Sequence, residues 1–405
     1  MGDSTVHFCP SAMGPPDKPA LPPPLAQGLA QPHLPSLDGL RALAVFMVVL
    51  YHLQIPWVSG GTGVLVFFVL SGFLITWLLL KEEERFGKVS LKLFYARRTL
   101  RIMPAFYVYW LVFVGWVLVS AKRLVITQAI CSFLYVNNYY QAIFGDPNTG
   151  LSHTWSLGVE EQFYLLWPIT FLLFRSNSRR LKFLLWSIAA VWLYRELLVF
   201  IFHVPQGYIY EAFDTRADHL MIGCALAVAL KEQLWTRLWQ RLVAFPALIW
   251  ITFALLLGSM FAEYSHIVSY RDAVGFIVEP LLTAILIVQG IAYGSASLGS
   301  VLNWGWVRYL GTISYAIYLY HPFVVGGVRK LTHNIPVVSQ VAGILAVVAA
   351  ASASYFFLEK PLQNIRARLS PDRRGADAMA GGAGSEALNA PSVLSVAAEP
   401  VEGRK

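Results

Sequence analysis

Within LDGLRALAVFMVVLYHLQIP, residues 37–56, an otherwise apolar run carries Asp38, Arg41 and His52. Placing ionisable side chains in lipid costs about 2.5–3.5 kcal/mol apiece, and residues that bear that cost mark functional sites. Arg41 and His52 lie eleven positions apart. On a helix that spacing leaves them about 20° from eclipsed and about 16 Å apart along the axis. Asp38 sits one turn from Arg41 and can pair with it. An arginine near one mouth and a histidine at depth on the same face would line a polar cavity. The plainer reading is an arginine snorkelling to headgroups and a histidine bonded to a carbonyl.

Further clusters make the cavity the better reading. FYARRTLRIMP (94–104) places Arg98 and Arg101 three residues apart at one end of an apolar run, with Arg97 and Lys92 nearby. Neighbouring guanidinium forks bind phosphates bidentately, although basic residues at a span's end also set membrane orientation. SHTWSLGVEEQFYLLWP (152–168) carries His153, a capping Ser156, and Glu160 and Tyr164 on one face four residues apart. Helix-end capping accounts for one acid, whereas Glu160, Glu161 and Gln162 together call for a polar pocket. DTRADH supplies Asp214, Arg216, Asp218 and His219, and GTISYAIYLYHPFVV (311–325) supplies Tyr315, Tyr318 and His321. Arg195–Glu196, Glu279 and Glu359 interrupt other apolar runs. Any one pair is an ordinary self-neutralised contact, but this many point to a wet central site.

The elements that must hold these groups follow from composition. Of 405 residues, 57% are hydrophobic and only 13% charged, against about 25% charged in soluble domains. The chain therefore reads as an all-α membrane protein, a bundle of helices around a polar cavity. Its net charge of +8 sits in short loops between apolar runs, the pattern of orientation signals and not of nucleic-acid binding. Cys9, Cys131 and Cys224 show no metal or disulfide spacing. The start of the chain has no signal-peptide pattern. Residues 1–33 are proline-rich and 367–405 small and polar, and both are expected to be disordered tails flanking a membrane domain over 34–366.

Apolar runs near 38–57, 61–80, 103–120, 155–174, 183–203, 214–230, 243–262, 273–292, 309–328 and 338–358 approach the roughly 20 residues of a spanning helix. Loops 81–101 and 175–182 hold seven and four basic residues, and should both face the cytoplasm. A crossing at 124–144 would expel the second, so that segment is predicted to lie outside or in the interface. The expectation is about ten spans with both termini cytoplasmic, in a multi-pass integral membrane protein.

The set LDGLRALAVFMVVLYH, GVLVFFVLSGFLIT, FYARRTLRIMP, HTWSLGVEEQFYLLWP, DTRADHLMIGCALA, LGTISYAIYLYHP and YFFLEKP, in that order, resembles the acyltransferase-3 family of integral-membrane O-acyltransferases. The resemblance covers about residues 34–366. It implies an enzyme transferring an acyl group, acetyl or another short one, from acyl-CoA to a hydroxyl of a sugar, polysaccharide, glycolipid or macrolide-type acceptor. It also implies a catalytic His52 coupled to Arg41, Glu160 as a further site residue, and Arg98 and Arg101 at the acyl-donor entrance. Acyl-CoA enters as co-substrate, with no bound cofactor and no metal. Relatives often add a hydrolase-like domain after the helices, so the expectation is that this chain completes transfer alone or with a partner.

On that basis the phosphates of acyl-CoA would dock on Arg98, Arg101 and Arg41, and its pantetheine arm would reach the thioester to His52. His52 would act as general base or as nucleophile. Tyr51, Ser71 and Tyr164 are candidates for the oxyanion. Asp38, His153, Tyr164, Asp214, Arg216, Tyr318 and His321 are candidates for the pocket or the acceptor. The rival class is a secondary transporter or flippase using the same buried residues, which should show related halves; the first helix's pattern does not recur in the second half. A non-catalytic assembly factor would be indifferent to loss of His52.

Overall fold

The computed structural model describes residues 20–120, 124–264, 270–294 and 296–368. Its elements are helices joined by short turns, with no strand among the described residues. The first is α1 (Pro23–Ala30), which meets α2 (Pro35–His52) at 87°. This corrects the predicted tail from Pro23 onward. In PPLAQGLA a proline at the first position suits a helix start, and Leu25, Gly28 and Leu29 share a buried face. The rest of the two predicted tails, 1–19 and 369–405, lies outside the described residues.

Five helices are long and apolar enough to cross a membrane: α3 (Gly60–Phe86), α4 (Leu91–Val119), α8 (Asn177–Phe200), and the stretches Tyr270–Ala292 and Pro336–Ile365. The α1–α2 pair makes a sixth if counted as one span. The protein is a multi-pass membrane protein. All ten predicted runs are occupied by helices, the others being α7 (Thr154–Leu173), α10 (Phe213–Lys231), α12 (Leu248–Tyr264) and α16 (Ser314–Leu331). These fall short of the same test because α7, α10 and α16 carry the polar residues of interest, while α12 has 17 residues. The ambiguous segment 124–144 forms two helices of eight residues, α5 (Ile126–Phe133) and α6 (Asn137–Phe144). Each is about 12 Å long, too short to span.

Helix α10 is continuous and central. It crosses α3 with backbones in contact: a side chain on Gly72 would strike the Leu220 carbonyl, and one on Gly223 the Val69 carbonyl. Small residues at such crossings let helices pack where lipid supplies no hydrophobic drive. The Cys224 thiol meets the Gly72 carbonyl at 3.4 Å across the same contact. Trp167 on α7 donates to the Thr76 hydroxyl on α3 at 2.9 Å, which fixes α7 against the same scaffold. Ser59 caps α3 by accepting from the Thr62 N–H at 3.2 Å.

At its far end α3 carries three consecutive acids. Glu82 pairs with Arg97 of α4 at 2.7 Å, Glu83 with Arg180 of α8 at 2.6 Å, and Glu84 with Lys231 of α10 at 2.5 Å. The Glu83–Arg180 pair is bidentate, and Arg180 also donates to the Phe171 carbonyl and the Asn177 side chain. One helix end thus gathers three others through charge pairs.

Candidate active site

Helix α2 remains unbroken from Asp38 to His52, so the shared face inferred for Arg41 and His52 is kept. At the His52 end, the ring nitrogen Nδ1 of His52 lies 2.9 Å from the Val48 carbonyl. A carbonyl only accepts, so Nδ1 carries the hydrogen and Nε2 presents a lone pair. Its ring stands edge-on to that of His321, with centroids 4.6 Å apart. His321 in turn lies 5.4 Å from His153. Its own Nδ1 donates to the Tyr318 carbonyl at 2.6 Å, and its buried Nε2 has no partner. The Tyr318 hydroxyl bonds to the His153 carbonyl at 3.0 Å and to the Ser156 hydroxyl at 2.5 Å. The predicted catalytic His52 and the predicted pocket residues His153, Tyr318 and His321 thus form one cluster from three parts of the chain.

Helix α7 leads from this cluster to a second. His153 caps it, and Ser156 and Glu160 follow at helical spacing on its inner face. The Ser71 hydroxyl donates to Glu160 at 2.8 Å. The Arg98 guanidinium stacks on the Tyr164 ring at 3.5 Å, and its Nε lies 3.9 Å from a Glu161 oxygen. Arg41 lies 3.7 Å from Asp38 and within electrostatic range of Tyr164, Arg98 and Glu160. Asp38 also meets His33 at 3.1 Å. The predicted Arg98–Arg101 pair is divided: Arg98 is drawn into this cluster, while Arg101 is exposed, with Glu359 as electrostatic neighbour.

A cavity of about 720 Å³ opens at the His52 end, within the range of small-molecule sites. His52, His153, Tyr318 and Tyr51 line one side. The other carries Trp57, Trp155, Tyr210, Glu211, Arg271 and Asp272, none of which the sequence singled out for this role. Arg41, Arg98, Arg101 and Glu160 do not line it. Of the predicted oxyanion candidates, Tyr51 lies at the cavity, Ser71 is committed to Glu160, and Tyr164 lies beneath Arg98.

Two predicted acceptor residues stand elsewhere. Asp214 accepts from Tyr139 at 2.9 Å and Tyr208 at 3.0 Å, a satisfied contact outside the cavity lining. Arg216 is fully buried over the Phe276 ring at 3.9 Å, and none of its nitrogens has a hydrogen-bond partner. Its neighbours Asp218 and His219 are absorbed by Arg195 at 3.1 Å and by the Phe276 carbonyl at 3.1 Å. Arg271 escaped notice in sequence because Arg271–Asp272 looks like the polar edge of an apolar run. In the structure a π-helical turn (Tyr270–Gly275) brings it inward. Its guanidinium occupies the space a side chain on Gly61 would fill.

A family model described as an acyltransferase domain matches residues 34–356. The chain belongs to this acyltransferase-domain family. It is 33% identical over 353 residues to the putative peptidoglycan O-acetyltransferase YrhL of Bacillus subtilis, covering 82% of this chain and 55% of that protein. The peptidoglycan O-acetyltransferase OatA of Listeria monocytogenes is also 33% identical, over 82% of this chain and 56% of its own length. The O-acetyltransferase OatA of Staphylococcus aureus matches at 33%, with 82% and 57% covered. The chain spans about half the length of the curated relatives it matches. No solved structure matches it. The family match runs from α2 to the turn after α17 (Pro336–Ser354), and so includes both polar clusters and the cavity.

Proposed function

We propose that this chain is a membrane O-acyltransferase moving a short acyl group from acyl-CoA to a sugar hydroxyl, with His52 at the centre of the chemistry. The observation that carries the reading is His52 itself. Its Nδ1 is committed to the Val48 carbonyl, its Nε2 is left as the reactive nitrogen, and it stands on the wall of a cavity of about 720 Å³. Family membership and relatives named as O-acetyltransferases support the reaction class. Two of them are named for peptidoglycan, and a glycan hydroxyl of that kind is the acceptor we propose here.

In this reading the phosphates of acyl-CoA meet the Arg98 and Arg41 guanidiniums, with Arg101 at the surface in front of them. The thioester is drawn along the polar face shared by α2 and α7 toward His52. Nε2 takes the proton of the acceptor hydroxyl as its oxygen attacks the thioester carbon. The C–S bond breaks, and the proton passes to the departing CoA thiolate. If the acyl group first rests on histidine, the same nitrogen holds it. Glu160, fixed by Ser71, orders the cationic cluster from its acidic side. Ten crossings with both termini cytoplasmic, in a bacterial cytoplasmic membrane, would present donor and acceptor on opposite faces.

The test is CoA release by purified protein in detergent, followed with a thiol reagent, for the parent and His52→Ala. Turnover should fall by about 10²–10⁴-fold in the variant while its thermal unfolding is retained. Equal turnover in both would remove His52 from the chemistry. Absence of acyl-CoA binding to either would return the chain to the transporter class.

A further inference from the structure

This inference rests on the proposed transfer to a sugar in the His52 cavity, and concerns which sugars enter. The lining carries four carboxylates, Asp146, Glu211, Glu263 and Asp272, against one guanidinium, Arg271. That guanidinium is already paired with Glu263 and packed over the Tyr210 ring at 4.7 Å. Asp146 and Glu211 remain without a cation partner in the lining, whereas Asp272 lies within electrostatic range of Arg271 and of the buried Arg216. Asp272 is only 7% exposed, and its Oδ1 has no hydrogen-bond partner. His153, also on the lining, is 7% exposed, and its ring nitrogens lie near the Leu319 and Gly150 backbone without closing a hydrogen bond of good geometry. Buried polar atoms left open on a cavity wall are positions a ligand can satisfy.

The chemistry of those positions is specific. Carboxylate oxygens only accept, and the hydroxyls of a sugar donate. A carboxylate or phosphate on the incoming sugar would instead set like charges together against low-dielectric walls. Aromatic groups supply the apolar contact. Trp57 stands at the rim, 56% exposed and stacked on Phe261 with centroids 5.6 Å apart. Its φ of 68° is a conformation that bulky residues rarely adopt. Such strain persists where surrounding structure holds it, and it concentrates at ligand-binding sites. Trp155, beside Tyr210 at 5.0 Å, forms the inner apolar surface.

We propose that the cavity is a subsite for uncharged or amine-bearing sugars, and that Asp146 and Asp272 exclude uronates and phosphorylated sugars. The experiment measures binding of an N-acetylglucosamine trimer and a galacturonate trimer to the full chain in detergent, without acyl-CoA. The neutral trimer should bind about tenfold or more tightly than the acidic one at low salt, and the gap should narrow as salt rises from about 0.05 to about 0.5 M. The Asp146→Asn, Asp272→Asn double variant should bind galacturonate about tenfold better than the parent does. If that variant does not fold, the salt series on the parent carries the test. Equal binding of the two trimers, tighter binding of galacturonate, or binding of neither would overturn the proposal. CoA release is read separately, so loss of turnover with sugar preference intact would count against the acyl-transfer reading and not against this one.

Discussion

The two ends of helix α3 treat polar groups in opposite ways. At one end Glu82, Glu83 and Glu84 each meet a cation from a different helix within 2.7 Å. At the other, around Gly60, Gly61 and Gly63, the surroundings hold His52 with its Nδ1 alone committed and an open Asp272 oxygen. Both regions are rich in ionisable residues, and composition alone would rank them alike. The paired end fastens four helices together. The unpaired end retains hydrogen-bonding capacity that folding did not consume, which is the mark of a site prepared for something else.

That contrast predicts opposite responses to mutation. The largest effect on stability is expected from Arg180→Ala at the paired end, which strands Glu83 and frees the Phe171 carbonyl. Arg180 is buried, but 32% of the Glu83 side chain is exposed, so the cost is about 1–3 kcal/mol, chiefly from the carbonyl left unsatisfied, and thermal unfolding in detergent should come measurably earlier. CoA release per folded molecule should be unchanged. A variant with normal stability would dissolve the comparison.

His153→Phe is the complementary case. The ring sits among Tyr109, Tyr318 and His321, and its nitrogens lie near the Leu319 and Gly150 backbone without closing a hydrogen bond of good geometry. An apolar ring of similar shape should leave stability unchanged or raise it by up to about 1 kcal/mol, while transfer to sugar falls. Unfolding temperature and acceptor acylation are measured on the same preparation. A large loss of stability would show that His153 belongs to the packing and not to the cavity's chemistry.

Glu211 gives the finest test. Burial, with Asp146 close by, pushes its carboxyl up to about 8 from an ordinary 4.5. The folded protein therefore keeps a proton that the unfolded chain releases. This group's contribution to stability is full below about 4.5 and is lost as pH rises toward about 8. Glu211→Gln removes that titration. Its unfolding temperature should match the parent's at low pH and exceed it increasingly across that window. A constant difference over the same range would show that Glu211 is not held protonated.

Much of this arrangement was legible in the chain itself. The eleven-residue spacing fixed the common face of Arg41 and His52 because α2 is a regular helix, and helical geometry is local. The motif SHTWSLGVEEQ likewise carried His153, Ser156 and Glu160 along one side of α7. The segment 124–144 was recognised as non-spanning from loop charge, and it breaks at Tyr135, where φ is 57°. The proline-rich start was misread from Pro23 on because composition registers prolines and not the buried Leu25 and Leu29 that follow them.

Three matters were decided only by tertiary structure. The first is which charges are spent: the acids of KEEER pair with residues 15 to 147 positions away, and nothing local distinguishes them from free ones. The second is the division of Arg98 from Arg101, settled by the Tyr164 ring that takes one and not the other. The third is the rest of the cavity lining, where Glu211 arrives at the end of one short helix and Arg271 and Asp272 from a π-helical turn about sixty residues later. Sequence determines what repeats along a helix, because neighbours in the chain are then neighbours in space. Partners across the bundle depend on where helices cross, and here glycines such as Gly72 and Gly223 set one such crossing.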